Sequence, residues 1–439
     1  MHHPRLVLCI LLLTIAACES ERPTAALTSP RATRQVAPAA SITPTQTDAD
    51  AISANIRALH LPYGTMADPG FASSDPASPD YTTLVSYNRT GDAAIWTGHY
   101  LAGESFRYAV TQSADALDAV RNALNGVQSL VDVTSPLDPD VLARSWVPQN
   151  SPYLSKIQTD EGHNGLYPST YNGQAVYWIG NTSRDQYSGI FFGLAAAYDL
   201  VPDAALQAQV SALVTRLLDY LIAHGWSVQM PNGEFSTTFM GRPDQQLALL
   251  QIGRHVNPAK YELVYTAFAA ANAPLVIAPI RGECSDTYGS YFKFNLDYIT
   301  FFNLVRLEPS GSPNLTFYRT AYAQLRQCTA KHQNAHFNMI DRALRGVNGR
   351  RDSDTRDFLG LWLQRSRRDY YTDVSNKYAV CGTNKACDIV AVNDRPNTDF
   401  LWQRSPQLLF GGDDGTIETA AIDYLLPYWM GRYYGVLTS

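Results

Sequence analysis

TGDAAIWTGHYLAGESFRYAVT, residues 90–111, opens on a turn, Thr90-Gly91-Asp92, and continues as a helix. Asp92 falls at the N-cap or in the first turn, where a carboxylate complements the positive helix end. From Trp96 onward, Trp96, His99, Tyr100, Gly103, Phe106, Arg107 and Val110 recur at helical spacing. One face therefore mixes aromatic and polar groups, which a simple core stripe does not need. The pattern returns in RDQYSGIFFGLAAAYDLV (184–201) and DTYGSYFKFNLDYITFFNLV (286–305), and more divergently in IETAAIDYLLPYWMGRYYGV (417–436). Each copy starts acidic or polar, passes a Trp or Tyr near a small residue, and runs on as an apolar, aromatic helix.

Outward from these copies the chain reads as helical pairs. Residues 114–130 carry Leu117, Val120, Leu124, Val127 and Leu130 on one stripe and pair with the helix over 95–110. Further pairs are expected at 183–200 with 204–224, 244–255 with 258–272, 288–307 with 314–331, and 337–344 with 352–365. A short amphipathic helix is expected at 48–59 and a last helix at 418–434. Residues 62–89, dense in Pro, Gly, Ser, Asp and Tyr, predict an irregular surface segment. The pattern also lapses over 132–180 and 366–414, and loops of that length in a compact domain are commonly functional. Strand-like runs are few. The expected fold is all-α: one domain over 48–439, an (α/α)6-type toroid with the aromatic helices inside and the long loops over one end.

This layout resembles the six-hairpin toroids of glycoside hydrolases and polysaccharide lyases. WTGHYLAGESFRYAVT, DFLWQRSP and DYLLPYWMGRYYG also resemble segments of uncharacterised bacterial lipoproteins, over roughly residues 87–436. The resemblance implies a carbohydrate-active enzyme with a polysaccharide or oligosaccharide substrate. It carries no motif that transfers catalytic roles residue by residue.

The N-terminus fits export. Arg5 precedes the apolar run LVLCILLLTIAA, too short for a convincing membrane span. Ile15-Ala16-Ala17-Cys18 resembles a bacterial lipobox, which makes 1–17 a signal peptide and Cys18 a lipidated N-terminus; the alternative is an ordinary cleaved signal. Glu19, where inner-membrane lipoproteins usually carry Asp, favours the outer membrane. Residues 18–47 have the Pro, Ala, Thr and Ser content of a tether. Contact with membrane is expected through that anchor only. A net charge of −6 argues against nucleic acid, which needs a basic face. Cys284, Cys328, Cys381 and Cys387 suggest two disulfides in an oxidising compartment. The preferred pairing is Cys381–Cys387 across CGTNKAC with Cys284–Cys328; zinc is the rival.

Glycoside hydrolysis needs one protonated and one ionised carboxylate, whereas elimination needs a Tyr, His or Lys base and a group to neutralise a uronate. Asp185, Asp92, Asp414 and Glu418 are the acids placed at starts of the aromatic helices, and His99 is the candidate base. Each also has a structural reading: capping for Asp92 and Asp185, a solvated capped loop for Asp413, Asp414 and Glu418 in GGDDGTIE, and hydrogen-bonded packing for His99. Arg242 and Asp244 carry the same capping reading beside Pro243. The GGDDG turn also suits a cation such as calcium, although it does not match an EF-hand loop; no metal or other cofactor is expected. Candidate sugar contacts are Trp96, Tyr100, Arg107, Arg144, Trp146, Trp178, Arg184, Asp399, Trp402 and Arg404. Arg107 has Glu104 as an alternative partner, and Arg144 has a role bridging carbonyls. There is no G-x-S-x-G, H-E-x-x-H, Walker or G-x-G-x-x-G motif. A non-catalytic lipoprotein that binds glycan or a partner is the competing function.

Overall fold

Thr45 and Asp48 start the described fold. The Thr45 hydroxyl accepts from the Asp48 backbone, and the Asp48 carboxylate accepts from the Thr45 backbone N–H at 2.9 Å, a reciprocal cap. Helix α1 (Gln46–Leu59) follows, two residues ahead of the expected domain start at Asp48. The computed structural model describes residues 42–135, 137–289 and 291–438. All of them lie in the compact unit Ala39–Ser439. The expected signal peptide, Cys18 and most of the expected tether fall outside the described residues.

After α1 come α2 (Ala93–Thr111), α3 (Ala114–Asp132), α4 (Leu154–Glu161), α5 (Arg184–Leu200), α6 (Ala204–Ala223), α7 (Pro243–Val256), α8 (Pro258–Asn272) and α9 (Ile277–Cys284). Then follow α10 (Tyr291–Arg306), α11 (Asn314–Thr329), α12 (Ala335–Arg345), α13 (Gly349–Trp362) and α14 (Ile422–Tyr433). The aromatic copies become α2, α5, α10 and α14. The glycines of α2 and α5 have a mechanical reason. A Cβ on Gly98 would lie 2.1 Å from the Gly189 carbonyl oxygen, and one on Gly193 would lie 2.3 Å from that of Gly98. The α2 and α5 backbones touch at these glycines, which only a missing side chain permits.

Helix α2 packs on α3, α5 and α14; α5 packs on α6, α7 and α10; α7 packs on α8 and α10. Helix α10 packs on α11 and α12, α12 on α13 and α14, and α14 on α1. The run Pro258–Cys284 is apolar and long enough to cross a membrane by length and composition alone. Here it is divided by a 3-10 turn at Ala273–Leu275, with Tyr261 and Tyr265 turned inward and Leu263 exposed.

The chain is mostly helical, and the all-α expectation is corrected by short strands. β1 (Asp68–Phe71) and β2 (Leu84–Asn88) form a hairpin inside the segment expected to be irregular. β3 (Ser145–Pro148), β4 (Leu166–Tyr171) and β5 (Gln174–Ile179) form an antiparallel sheet in the order β3-β5-β4. Asn172 and Gly173, both at positive φ, join β4 to β5 as a two-residue turn. That Asn-Gly pair, between runs rich in Tyr, Trp and Val, is a hairpin signal the helical reading passed over. Smaller pairs are β6 (Ser227–Gln229) with β7 (Phe235–Thr238), β8 (Thr372–Asp373) with β11 (Phe410–Gly411), and β9 (Val380–Gly382) with β10 (Lys385–Ala386).

Helix α14 begins four residues later than expected. Ile417 and Glu418 are held extended by bridges to Gly70 and Arg368, and Ala421 takes a left-handed φ of 62° before the helix can start. The disulfides are Cys284–Cys328 and Cys381–Cys387, with Cα atoms 5.8 and 4.8 Å apart. The first ties α9 to α11 and the second closes the β9–β10 hairpin, so these four thiols are not zinc ligands.

Candidate functional site at the N-terminal end of α2

Five pieces of chain enclose a cavity of about 370 Å³ at the start of α2. The β1–β2 hairpin brings Asp68 and Arg89. The turn Gly91-Asp92 and first turn of α2 bring Trp96. Arg144 stands before β3. The end of α4 brings Glu161, His163 and Asn164, and the loop before α14 brings Asp399, Phe400 and Arg404.

Asp92 occupies the N-cap position of α2, yet its side chain makes no capping hydrogen bond. Its Oδ1 instead accepts from Gln186 Nε2 at 3.0 Å and faces Arg144 Nη1 at 3.5 Å, and the side chain stays 45% exposed. Gln186 supplies the missing cap, its Oε1 accepting from the Ile95 backbone at 2.9 Å. The carboxylate of Asp92 is thereby released from helix duty. Arg144 bridges carbonyls, as its structural reading predicted, donating to Gly91 and Asn181 at 2.8 Å each, and lines the cavity as well. Asp185, in the first turn of α5, is raised from the ordinary carboxyl range, first by burial and then by the charge on Asp92, against the pull of Arg184 and Arg144. Asp92, Arg144 and Asp185, all singled out in the sequence, are thus brought together here.

Asp399 is the most perturbed carboxyl on this wall. Its side chain is 15% exposed, and burial pushes its pKa up to about 6 although Arg89 and Arg404 oppose the shift. Arg404 Nη2 lies 3.6 Å away. The Gln403 amide, oriented to pair donor with acceptor, places its nitrogen 2.6 Å from Asp399 Oδ1. Arg89 holds a left-handed φ of 55°, rare for a residue with a side chain, and donates to Asp68 Oδ2 at 3.0 Å.

Asp68, Arg89, Glu161, His163 and Asn164 were not singled out by sequence. Asp68 and Arg89 were hidden in a segment read as surface wrapping. The polar run Asp160-Glu161-Gly162-His163-Asn164 was a visible signal inside a stretch already marked as functional in kind. Glu161 is buried, accepting from the Gly91 backbone at 2.8 Å and from Asn164 Nδ2 at 2.8 Å.

Other sequence candidates lie elsewhere. His99 is fully buried; its Nδ1 is 2.8 Å from the Ile95 carbonyl and its Nε2 is 3.0 Å from Asn295 Nδ2. Burial brings its pKa down to about 4. Trp402 is buried against Trp96 and His336, and Trp178 is buried and stacked on Tyr167 at 4.6 Å. Trp96 is also nearly buried, with one edge on the cavity. Arg107 pairs with Glu104 at 2.9 Å and with Asp50 and Asp115, among α1, α2 and α3. Arg184 donates to the Thr238 carbonyl at 3.3 Å.

Glu418 is buried. Burial would raise its pKa, but His60, Arg367 and Arg368 together hold it below its ordinary range. Asp414 is exposed and accepts from Thr416 at its backbone and hydroxyl, 2.9 and 2.6 Å, bonds that lower its pKa. Arg242 does not leave Asp244 to cap α7; it binds it at 3.1 and 2.8 Å and also reaches Glu283 and Asp297. Tyr100 and Trp146 line a second cavity.

Among the described residues no group of three or more His, Cys, Asp and Glu is placed to hold a metal ion. No protein-family model matches the chain, and no curated protein matches it in sequence.

Proposed function

We propose that the α2 cavity is an acid–base site that cleaves a glycosidic bond, with Asp399 as general acid and Asp92 as the second carboxyl group. The observation that carries this is the difference between the two carboxyls. Asp399 is kept as the acid by its surroundings, with a pKa near 6, while Asp92 faces Arg144 and the Gln186 amide and is open to the cavity. Glycoside hydrolysis requires one carboxyl that holds its proton beside a second carboxyl, and the raised pKa of Asp399 suits the first role. Trp96 and Phe400 add an aromatic edge suited to a sugar ring. The charge on Asp92 in turn helps keep Asp185 above the ordinary carboxyl range. Elimination remains the second chemistry, favoured by His163 and Arg144 on the same wall.

The neighbour order α2–α5–α7–α10–α12–α14 and back to α2, with α3, α6, α8, α11, α13 and α1 outside, supports reading the fold as an (α/α)6 toroid with this cavity at one mouth. The lipobox-like Cys18 supports an envelope lipoprotein.

The test uses the full chain on a panel of neutral and acidic polysaccharides, following reducing ends and the absorbance of unsaturated uronates. Reducing ends without absorbance, lost in both Asp399→Asn and Asp92→Asn, support the hydrolase. Absorbance that survives Asp399→Asn and disappears in His163→Ala makes it a lyase. No cleavage of any substrate by a folded protein removes the catalytic reading.

A further inference from the structure

The second cavity, about 490 Å³, lies against α1 and α3 and shares no lining residue with the first. Its wall combines rings from three separate segments. Tyr63 follows α1, Trp146 is in β3 and Tyr171 ends β4. Tyr63 and Trp146 have ring centroids 5.7 Å apart, and Trp146 and Tyr171 are 5.2 Å apart. The indole N–H of Trp146 donates to Ser129 Oγ at 2.9 Å, which fixes the ring's orientation.

The polar groups beside these rings are neutral. Asn122 and Asn125 stand three residues apart on α3, both exposed, and Gln209 donates to Asn125 Oδ1 at 3.3 Å, leaving the Asn125 amide N–H groups for a ligand. Arg57 is the one charged side chain on the described lining, and it is already paired with Asp115 at 2.8 Å. The hydroxyl of Tyr100 is buried beside Ser53 and Glu104. The site is also rigid on one side. Gly64, at φ +78°, lies so close to α3 that a Cβ on Gly126 would be 2.0 Å from its carbonyl oxygen.

We infer that this cavity is a second glycan site, binding a neutral oligosaccharide away from the acid–base cavity and holding it without cleaving it. Flat rings, amides that both donate and accept, and the absence of unpaired charge match a neutral sugar, which offers apolar ring faces and hydroxyls together. Acidic glycans are disfavoured because no free cation lies on the described lining. The inference rests on the glycan reading for its substrate class, but not on the roles of Asp92 and Asp399.

The test is calorimetric titration of the full chain with cellohexaose, xylohexaose, maltohexaose and chitohexaose, alongside the tryptophan emission shift. The variants are Asn122→Ala with Asn125→Ala, Trp146→Phe, and Asp399→Asn. One of the neutral hexasaccharides is expected to bind the parent and Asp399→Asn equally. The exposed double Asn variant should lose at least about tenfold in affinity with its melting temperature unchanged, and Trp146→Phe should weaken binding and remove the emission shift. Binding by none of the four overturns the site, whatever happens to catalysis. So does binding that survives the Asn pair but falls in Asp399→Asn, because the ligand would then sit in the first cavity.

Discussion

Glu161 Oε1 accepts the Gly91 backbone N–H at 2.8 Å, and its other oxygen fills the space a side chain on Gly91 would need, since a Cβ there would lie 2.5 Å from Oε2. Glu161 and Gly91 therefore specify one another, and the turn that presents Asp92 depends on both. Gly91→Ala should lower stability by about 1–3 kcal/mol through this overlap. Glu161→Ala should cost about as much by stranding the buried Gly91 N–H, while Glu161→Gln keeps an acceptor and costs less. Urea unfolding of the three variants checks the order; a Gly91→Ala protein as stable as the parent would show that Glu161 can move aside.

Asp399 makes two linked predictions about pH. Its folded pKa of about 6 lies above the ordinary 3.8, so folding binds its proton more tightly than the unfolded chain does. The stability this contributes is complete below about pH 4 and is lost as pH rises through 6, roughly 3 kcal/mol in all. Asp399→Asn should therefore gain stability relative to the parent between pH 4 and 7, measured by denaturant unfolding at both values. If Asp399 is the general acid, the parent's cleavage rate should fall as pH rises through about 6, and the Asn variant should lose about 100-fold or more at pH 5.

His336 is buried among Trp402, Phe192 and His99, at ring distances of 4.9, 6.0 and 6.0 Å, and neither ring nitrogen has a hydrogen-bond partner in the protein. Burial, then the neighbouring His99, drives its pKa well below the ordinary 6.5. The folded state keeps it neutral while the unfolded chain protonates it, so stability is lost as pH falls below about 6.5. His336→Phe should be within about 1 kcal/mol of the parent at pH 7 and more stable at pH 5. Thermal melts at the two pH values read this directly; equal melting shifts at both would mean that His336 contributes nothing to acid sensitivity.

The two disulfides should contribute unequally. Cys284–Cys328 spans 44 residues and Cys381–Cys387 spans 6. The chain-entropy relation gives about 4 kcal/mol for the longer loop and about 2 for the shorter. Replacing Cys284 and Cys328 by Ala should lower the urea midpoint about twice as far as replacing Cys381 and Cys387.

The helices were legible because they repeat one composition. The Trp or Tyr beside a small residue predicted α2, α5, α10 and α14, and for α2 and α5 the reason proved to be backbone contact at Gly98, Gly189 and Gly193. The β4–β5 hairpin was legible too, through Asn172-Gly173, but a reading tuned to helical period overlooked it. The site was half legible. Asp92, Arg144, Trp96, Asp399 and Arg404 line one cavity, because polar residues at helix starts and in long loops collect at the helix ends. His99 and Trp402 share the same composition and are packed inside, since sequence pattern does not separate the wall of a cavity from the layer beneath it. Asp92 shows why an acid at a helix start is ambiguous: only the distant Gln186, which caps α2 in its place, frees it.

Gln46 and Arg432 lie 386 residues apart in the chain, yet Arg432 Nη1 donates to Gln46 Oε1 at 3.1 Å, and α1 packs on α14. The helices at the two ends of the described fold thus close on one another. Ala49, Ile52 and Ile56 of α1 are buried, while Asp50, Ser53 and Arg57 of the same helix pair with Arg107, Glu104 and Asp115 of α2 and α3. Contacts of such long sequence separation carry a large loop-closure cost, so α1 and α14 support one another only once the intervening chain has been drawn together.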